Sequence, residues 1–304
     1  MQARSPTVSP TSQLVLWPDL EAAWEATLTG ERGETEQGAG HWRLLKGEPR
    51  TRVLRLGADD FPALVLKIYA TPPRLAWRTL GMVSRANREF TVMMEAHRRE
   101  LPVVRPRYRL EVRRAGCLRY GALALEAVDG LNLESVLDQP ELSADERQRL
   151  GRLTGDLLGR FHRRGLQWGT ATPRNLLLLS EEGRPLQAID MPYATLTDKD
   201  IRGTAEALMD LSCMLRMSDG RLAFDGDARR ALMLAYFAGD EQAARELDEE
   251  VQLQSHLAWK KQRLRRRVSH LLKPTASSDG TAGFYDSAMG EYHPLGRGVV
   301  FLPR

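Results

Sequence analysis

The sequence predicts an α+β protein made of two lobes, a small strand-rich lobe followed by a helical lobe. Three observations indicate this class. Short segments rich in branched apolar residues dominate the chain between residues 42 and 126, with one helical stretch among them. A break follows at Val128-Asp129-Gly130, and beyond it apolar residues recur at helical spacing, as in Leu150, Leu153 and Leu157. Strands and helices that segregate along the chain are typical of α+β folds.

The order of the elements predicts four regions. Residues 1–40 form an N-terminal extension, partly disordered because its start is rich in Ser, Thr and Pro. The strand-rich lobe spans residues 41–128 and the helical lobe residues 129–273. The tail, residues 274–304, is rich in glycine, serine and aromatic residues and is expected to be a loop.

Within the first lobe, alternation and branched residues predict five strands around one helical region. The strands are Trp42–Leu45, Arg52–Leu56, Ala63–Tyr69, Tyr108–Val112 and Leu118–Glu126, and one or two helices occupy Arg74–Leu101. In the second lobe, Ser143 and Glu146 have the spacing of a capping box, which opens a helix reaching about His162. Beyond Lys199 the chain is predicted to be mostly helical as far as Leu272.

Composition excludes several classes of protein. Hydrophobic residues make up 42% of the 304 residues, which excludes a chain without a core. No run of about 18 apolar residues is present, so no helix is expected to span a membrane. Cys117 and Cys213 form no spacing motif, which favours a reduced, cytosolic setting.

Positive charge is concentrated in residues 259–273, which hold seven Lys or Arg and no acid. Such a block favours contact with the phosphate groups of a lipid, a glycolipid or a nucleic acid. The alternative is a solvated helix face. The formal net charge of +4 does not decide between the two.

Lys67 is the first candidate site residue, because it lies in the apolar strand Val65–Tyr69. A buried ammonium group needs a carboxylate partner or an anionic ligand. Glu89 on the following helix is the predicted partner, and Glu95 is a competing one. The alternative is that Lys67 occupies an exposed strand position.

The segment 166–179 has the frame of a phosphotransferase catalytic loop. In such loops an Asp accepts the proton of the substrate hydroxyl, and an Asn a few residues later binds Mg²⁺. Asn175 stands at the Asn position, whereas Thr170 stands at the position of the proton acceptor. A threonine hydroxyl cannot accept a proton usefully near neutral pH, and loss of a general base costs about 10²–10⁴ in rate.

A predicted hairpin follows this loop. Leu176–Leu179 forms one strand, and Leu186–Ile189 returns as a second strand that ends at Asp190. The hairpin brings Asn175 and Asp190 to the same end of the strand pair. Two oxygen ligands at that place suit Mg²⁺ carrying phosphates. The alternative is that Asp190 caps a turn.

Several segments together carry a resemblance to a known family. They are Val65–Tyr69, Pro73–Arg78, Ser84–Phe90, Leu101–Pro106, Phe161–Gly165 and Pro173–Leu178. Over roughly residues 42–216 the chain resembles the lipopolysaccharide core kinases, the Kdo and heptose kinase family of Gram-negative bacteria. The loop of that family usually has the order His-Gly-Asp-x-x-Pro-Arg-Asn. This chain has Trp168-Gly169-Thr170 and, two residues on, Pro173-Arg174-Asn175.

The resemblance implies a protein-kinase-like fold, with 41–128 as the N-lobe and 129–273 as the C-lobe, and ATP with Mg²⁺ as cofactors. It implies the following roles: Lys67 contacts the nucleotide phosphates, Glu89 holds Lys67, Glu126 to Val128 form the adenine hinge, Asn175 and Asp190 bind the metal, and Asp210 is the buried acid that braces the catalytic loop.

The chain also departs from the pattern of the family. Asp190-Met191-Pro192 replaces Asp-Phe-Gly, and Trp168 replaces the His that packs beneath the loop. Gly47 stands alone between the first two strands, where the family has a glycine-rich loop. The last departure puts the cradling of phosphates by backbone amides in doubt.

Three hypotheses follow. The first is a pseudokinase with a binding or regulatory role in lipopolysaccharide core or envelope biogenesis. The second is an active ATP-dependent kinase of an inner-core heptose or Kdo sugar. The third, a nucleic-acid binder built on residues 259–273, ranks last, and no nucleic acid is expected. The implied partners are core glycolipid or an envelope-biogenesis protein, in the cytoplasm or peripherally at the inner membrane through residues 259–273. The basic insert 74–88 is a second segment expected to contact anionic headgroups.

Overall fold

The computed structural model describes residues 41–48, 51–58, 61–71, 73–169, 171–180 and 186–253, and three short strands beyond them. The predicted extension 1–40, the basic block 259–273 and Thr170 lie outside the described residues.

Strands dominate the first part of the chain and helices the later part, so the α+β class is confirmed. The strands are β1 (His41–Glu48), β2 (Thr51–Ala58), β3 (Phe61–Ala70), β4 (Pro106–Arg114), β5 (Cys117–Glu126), β6 (Gly130–Asn132), β7 (Leu166–Gln167), β8 (Leu176–Leu179), β9 (Leu186–Ala188), β10 (Thr195–Leu196), β11 (Thr275–Ala276), β12 (Ala282–Asp286) and β13 (Glu291–Pro294). The helices are α1 (Arg85–Arg98), α2 (Leu133–Leu137), α3 (Ala144–Arg163), α4 (Ala205–Met214), α5 (Gly226–Tyr236) and α6 (241–253), with 3-10 turns at Pro73–Thr79 and Pro173–Asn175.

The main sheet has five antiparallel strands in the order β1-β2-β3-β5-β4. In the register of this sheet, Lys67 in the central strand pairs with Val53 of β2 and Leu123 of β5. Side chains alternate between the two faces of a strand. Leu64, Leu66 and Ile68 of β3 therefore point to one face, where they pack with buried apolar residues of β2 and β5. The alternate residues of β3, Lys67 among them, point to the other face.

A second, three-stranded sheet has the order β6-β8-β9. β8 and β9 form the hairpin that the sequence predicted, with Leu176 opposite Ala188. The N–H of Ile189 donates to the carbonyl of Asn175 at 2.9 Å, so the pairing extends to the residues that flank the hairpin. Asn175 and Asp190 are held at the same end of it.

Helix α3 begins with the predicted cap, since the N–H of Glu146 donates to Ser143 Oγ at 3.1 Å. The second half of a capping box does not form. The Glu146 carboxylate instead accepts two hydrogen bonds from Arg149, each 2.8 Å long. Those bonds hold the pKa of Glu146 below its usual range. The first residues of the helix are exposed to solvent.

Two glycines of α3 allow a close approach to α5. A Cβ atom added at Gly155 would lie 2.0 Å from the carbonyl oxygen of Leu232, and one added at Gly151 would lie 2.3 Å from that of Ala228. Residues four apart share a helix face, so the two glycines form one flat strip. The backbone of α5 lies directly against this strip.

This contact predicts an inverted effect for Gly155→Ala. In a free helix the change would stabilise by about 0.8–1 kcal/mol, because Ala is the better helix former. Here the added methyl displaces backbone, and overpacking of this kind costs about 1–3 kcal/mol. We expect a lower free energy of unfolding in urea for Gly155→Ala, with Arg152→Ala on the exposed side of the same helix as the control. Stabilisation by Gly155→Ala would show that α5 does not press on α3.

Contacts divide the chain into two compact units. The first contains the described residues up to Pro140 with Arg160–Thr170 and Arg174–Ile201, and the second contains Glu141–Gly159, Ala171–Pro173 and the residues from Arg202 on. The lobe boundary predicted at residue 129 stays a prediction. The loop expected for 274–304 is wrong in part, because β11, β12 and β13 pair there as an antiparallel sheet. In the described part of the chain no helix is long and apolar enough to cross a membrane.

Candidate active site

Lys67 is buried, with 7% of its surface exposed, on the face of β3 opposite the apolar cluster. The alternation of β3 places Val65, Lys67 and Tyr69 on this face, and all three line one cavity. The sequence left open an exposed Lys67, and the structure excludes that alternative.

Glu89 is the main partner of Lys67 and is wholly buried in α1. Its Oε1 accepts from Lys67 Nζ at 3.1 Å and from the N–H of Met191 at 3.0 Å, and its Oε2 accepts from the Tyr69 hydroxyl at 2.6 Å. These three donors come from β3 and from the segment after β9. A single carboxylate therefore ties three separated segments of the first unit together.

Helix α1 explains why Glu89, rather than Glu95, reaches Lys67. The buried residues of this helix are Ala86, Glu89, Met93 and Ala96, which share one face by their spacing. Glu95 lies off that face and pairs with Arg98 and Arg99. The spacing of residues in α1 therefore decides between the two candidate partners of Lys67 in favour of Glu89.

Asp190 is the second carboxylate at Lys67, with its Oδ1 3.3 Å from Lys67 Nζ. Its backbone adopts a φ of +63°, in the left-handed region that few residues other than glycine occupy. Trp168, which is fully buried, donates from its indole Nε1 to the Asp190 carbonyl at 3.2 Å and stacks edge-on against Phe161. Trp168 thus braces the backbone of Asp190 with a hydrogen bond.

The cavity beside these groups has a volume of about 660 Å³. Ligand sites of small molecules typically measure about 300–1,000 Å³. Apolar side chains form much of its wall, namely Val53, Val65, Val104, Leu125, Val128, Leu177 and Ile189. Lys67, Asn175 and Asp190 line it too, and so does Glu126. An apolar wall with cationic and anionic groups gathered together suits a ligand with a flat apolar part and a charged part.

The predicted hinge residue Glu126 ends β5 and Val128 follows two residues later, and both line this cavity. The N–H of Glu126 donates to the Arg105 carbonyl and that of Ala127 to the Ala63 carbonyl. Nothing in the described part of the chain hydrogen-bonds to the backbone of Val128. The side chain of Glu126 pairs with Arg107 at 2.9 Å, which turns its charge to that partner.

The donor set suits a metal brought by a ligand better than one held by protein alone. In the described residues no group of three or more His, Cys, Asp or Glu side chains could hold a metal ion. Asn175 and Asp190 offer two oxygen-bearing side chains to the cavity. Mg²⁺ is commonly bound by one or two protein ligands together with phosphate and water. The residues present fit Mg²⁺ on those terms.

Three residues of the site were missed by the sequence argument. The guanidinium of Arg85 lies over the Tyr69 ring, 4.6 Å from its centroid, and over the Tyr193 ring at 5.4 Å. Arg85 Nη2 is 4.0 Å from Asp190 Oδ1, and Arg85 lines the cavity. Its Nε is buried and has no hydrogen-bond partner among the described residues. Tyr69 carried a signal, because it lies two residues after Lys67 in the same strand, whereas Arg85 and Tyr193 carried none.

Burial and the neighbouring Glu89 carboxylate raise the pKa of Tyr69 far above its usual value. The neutral phenol is therefore favoured by the folded state. The stability that depends on the neutral phenol of Tyr69 is therefore present just below about pH 10, the pKa of a free tyrosine, and is lost as the pH rises from that value towards the raised pKa.

Asp210 lies in α4 of the second unit and is 1% exposed. Burial, with Asp210 as the smaller cause, raises the pKa of the Cys213 thiol to about 11, so this thiol is neutral at physiological pH. The bracing role of Asp210 stays a prediction. Thr170 lies outside the described residues, so its place rests on the sequence.

Comparison with known proteins gave a family match and a similar solved structure. The model of the lipopolysaccharide kinase (Kdo/WaaP) family matches residues 74–236. A solved structure of WaaP in complex with acyl carrier protein is 18% identical to this chain, covering 80% of it and 92% of that chain, with a TM-score of 0.51. At that identity the likeness shows the fold, and the predicted kinase-like fold is confirmed. Comparison with curated protein sequences gave no match. The family match spans more than half of the chain, which therefore belongs to the lipopolysaccharide kinase (Kdo/WaaP) family.

Proposed function

We propose that this protein is a pseudokinase of the lipopolysaccharide kinase family, which binds a nucleotide but does not transfer its phosphate. One observation carries the proposal: the buried Lys67–Glu89 pair, with Asp190 beside it, borders an apolar cavity, while Thr170 stands where the family has its proton acceptor. Such a protein has a binding or regulatory role in lipopolysaccharide core or envelope biogenesis. The lobes 41–128 and 129–273 are part of the same proposal.

The cavity residues divide into two groups by chemistry. Val128 has a backbone free to bond an adenine ring, and Val65, Leu125 and Ile189 give that ring an apolar surface. Lys67 would hold the phosphates, and Asn175 and Asp190 would hold Mg²⁺. ATP supplies the transferable phosphoryl group and Mg²⁺ neutralises its charge. Glu89 would keep Lys67 oriented through its hydrogen bond, and Glu89 itself does not line the cavity.

Arg85 strengthens the case for a phosphate ligand. Phe- or Tyr-stacked arginines keep their charge and their planar fork of donors available to an anion. In the described part of the chain the buried Nε of Arg85 has no hydrogen-bond partner, and its Nη2 lies 4.0 Å from Asp190 Oδ1, beyond hydrogen-bond distance. Buried donors without a partner are rare. A ligand phosphate would provide the missing acceptors. Arg85 would thus offer the phosphate a donor in a chain whose first two strands have Gly47 alone between them in place of a glycine-rich loop.

Arg85→Met is therefore expected to weaken the binding of MgATP about tenfold or more, because a hydrogen bond to a charged group is worth about 1.5–3 kcal/mol. Isothermal titration measures the change. Binding of adenosine, which has no phosphate, should not change. Arg88→Met, on the exposed side of the same helix, is the matched control and should leave both affinities intact. Equal loss with adenosine and MgATP would contradict a phosphate contact.

The test of the proposal combines binding with transfer. Wild-type protein is expected to bind MgATP in a titration, with the affinity lost in Asp190→Ala, and to leave radiolabelled γ-phosphate on ATP in the presence of purified core glycolipid. Failure of MgATP and of MgADP to bind would overturn the nucleotide part. Stoichiometric phosphorylation of the glycolipid, abolished by Asp190→Ala, would overturn the pseudokinase part.

The second candidate function is an active kinase of a heptose or Kdo sugar of the inner core. The retained cluster at Lys67 favours it, since phosphoryl transfer depends mainly on positioning and neutralisation of charge. The Thr170 substitution weighs against it. A deletion strain whose lipopolysaccharide loses one core phosphate would favour this candidate.

We also propose core glycolipid or an envelope-biogenesis protein as the partner, in the cytoplasm or at the inner membrane surface. WaaP was solved in complex with acyl carrier protein, so an acyl carrier protein is one such protein to test. Pull-down with purified acyl carrier protein, with and without its acyl chain, tests that partner directly.

A further inference from the structure

Residues 77–83 expose an unusual amount of apolar surface. Trp77 is 67% exposed, Leu80 64%, Met82 59% and Val83 56%. These four, named here the apolar tip, make up four of the nine large hydrophobic residues that are exposed in the described part of the chain. Single exposed apolar residues are common on protein surfaces, but a concentrated group marks an interaction site.

Hydrogen bonds hold the backbone of the apolar tip in place. Arg113, from β4, donates to the carbonyl of Met82 at 2.6 Å and to that of Thr79 at 3.4 Å. The N–H of Leu118 donates to Thr79 Oγ1 at 2.8 Å, and the N–H of Ser84 donates to Glu111 Oε1 at 3.0 Å. The segment is thus fastened at three points to the β4–β5 hairpin. Its apolar side chains are displayed by an ordered backbone, so a partner would meet a prepared surface.

Three exposed arginines lie in or next to the segments that form the apolar tip and hold it. Arg78 is exposed and its guanidinium lies 5.3 Å from the Trp77 ring centroid. Arg88 follows one turn into α1, and Arg119 follows Leu118, which is bonded to the tip. Both are exposed, and none of the three arginines has an acidic partner in the described residues. The apolar tip therefore has exposed positive charge within the segment itself, on the helix that follows it and on the strand that Thr79 bonds.

We propose that the apolar tip docks onto an anionic phospholipid bilayer, with Trp77 and Leu80 at the boundary of the hydrocarbon and the three arginines against the headgroups. A bilayer is favoured as the partner because its hydrocarbon region would take up the apolar side chains and its anionic headgroups would attract the arginines. Trp beside Arg suits this boundary, since each has an apolar body and a polar end. This inference rests on the membrane location given under the proposed function, for which it names the contacting surface, and it does not depend on nucleotide binding.

The experiment is co-sedimentation of the full chain with sucrose-loaded vesicles, using phosphatidylcholine alone and phosphatidylcholine mixed with phosphatidylglycerol. Wild type should bind the mixed vesicles and much less the neutral ones, with binding that weakens as salt rises. Trp77→Ser/Leu80→Ser should reduce the bound fraction about tenfold or more, because two large apolar side chains are then no longer transferred from water into the bilayer on binding. Arg78→Gln/Arg88→Gln should reduce it about tenfold while leaving the apolar contact intact.

The matched control is Leu131→Ser/Leu253→Ser, which removes two apolar side chains that are each 58% exposed but lie elsewhere. It should bind vesicles as the wild type does. Circular dichroism checks that each variant folds. Wild type that does not bind mixed vesicles overturns the inference. Vesicle binding that survives Trp77→Ser/Leu80→Ser also overturns it, and places the contact elsewhere, for example in residues 259–273. Loss of acyl carrier protein binding in that variant, with vesicle binding unchanged, assigns the tip to a protein partner and overturns it too.

Discussion

Replacing Glu89 with alanine is expected to lower the free energy of unfolding by about 3–5 kcal/mol, the cost of breaking a buried ion pair from one side. Three donors lose their acceptor at once, the Lys67 ammonium, the Tyr69 hydroxyl and the N–H of Met191. Lys67 keeps Asp190 at 3.3 Å, so its charge is not wholly stranded. The other two donors have no substitute acceptor among the contacts of this site. Urea unfolding followed by circular dichroism measures the loss.

Glu95→Ala is the matched control for this change. Glu95 lies on the same helix with 39% of its side chain exposed, and its pairs with Arg98 and Arg99 are of the surface kind. Such pairs contribute at most about 1 kcal/mol. The double change Lys67→Met/Glu89→Leu removes both charges together and should cost less than the sum of the single changes. A loss for Glu89→Ala no greater than that for Glu95→Ala would contradict the role of Glu89 as the central acceptor.

The arrangement of the site residues was largely predictable because it follows from the alternation of side chains in a strand and their spacing in a helix. β-Strand alternation placed Lys67 in an apolar strand, and the hairpin after Asn175 placed Asp190 beside it. The choice between Glu89 and Glu95 was also present in the helical spacing of α1, where Ala86, Met93 and Ala96 mark the buried face. Using this spacing required only the residue at which α1 begins. Ser84 caps that end of the helix, where its side chain accepts a hydrogen bond from the N–H of Asn87.

Other features depend on contacts distant in sequence and could not be predicted. Arg85 reaches Tyr193 across more than a hundred residues, and no local pattern links them. The apolar tip falls inside the region predicted as helical, where Trp77 and Leu80 would count as candidates for a buried face. The structure instead ends a 3-10 turn at Thr79 and displays both side chains. The strands β11 to β13 arose in a segment whose glycine and serine content favoured a loop.

A family member with a disabled catalytic loop can still keep a folded site, because the two depend on different residues. The Lys67–Glu89 pair joins β3, α1 and the segment after β9, so it contributes to stability whether or not transfer occurs. Selection for a stable, ligand-binding protein would therefore preserve this pair whether or not the chain keeps an aspartate at the position of Thr170. The membrane contact proposed for the apolar tip would position such a protein beside lipid-linked sugars.

Thr170→Asp is expected to raise phosphate transfer by about 10²–10⁴ over the background rate at which the wild type remains, the range that a general base contributes. The variant restores a carboxylate at the base position, while Lys67, Asn175 and Asp190 stay as they are. Thr170→Ser, which keeps a hydroxyl, should remain at the background rate. Adding Asp190→Ala to Thr170→Asp should return transfer to that background, which excludes a contaminating kinase.

The most direct measurement is the rate at which γ-phosphate from radiolabelled MgATP appears on purified core glycolipid, compared between the wild type and Thr170→Asp. The proposed pseudokinase gives no transfer above background for the wild type and clear transfer for the variant. A wild-type rate that Asp190→Ala abolishes and Thr170→Asp fails to raise would contradict it, and would make this protein a kinase that works without the usual base.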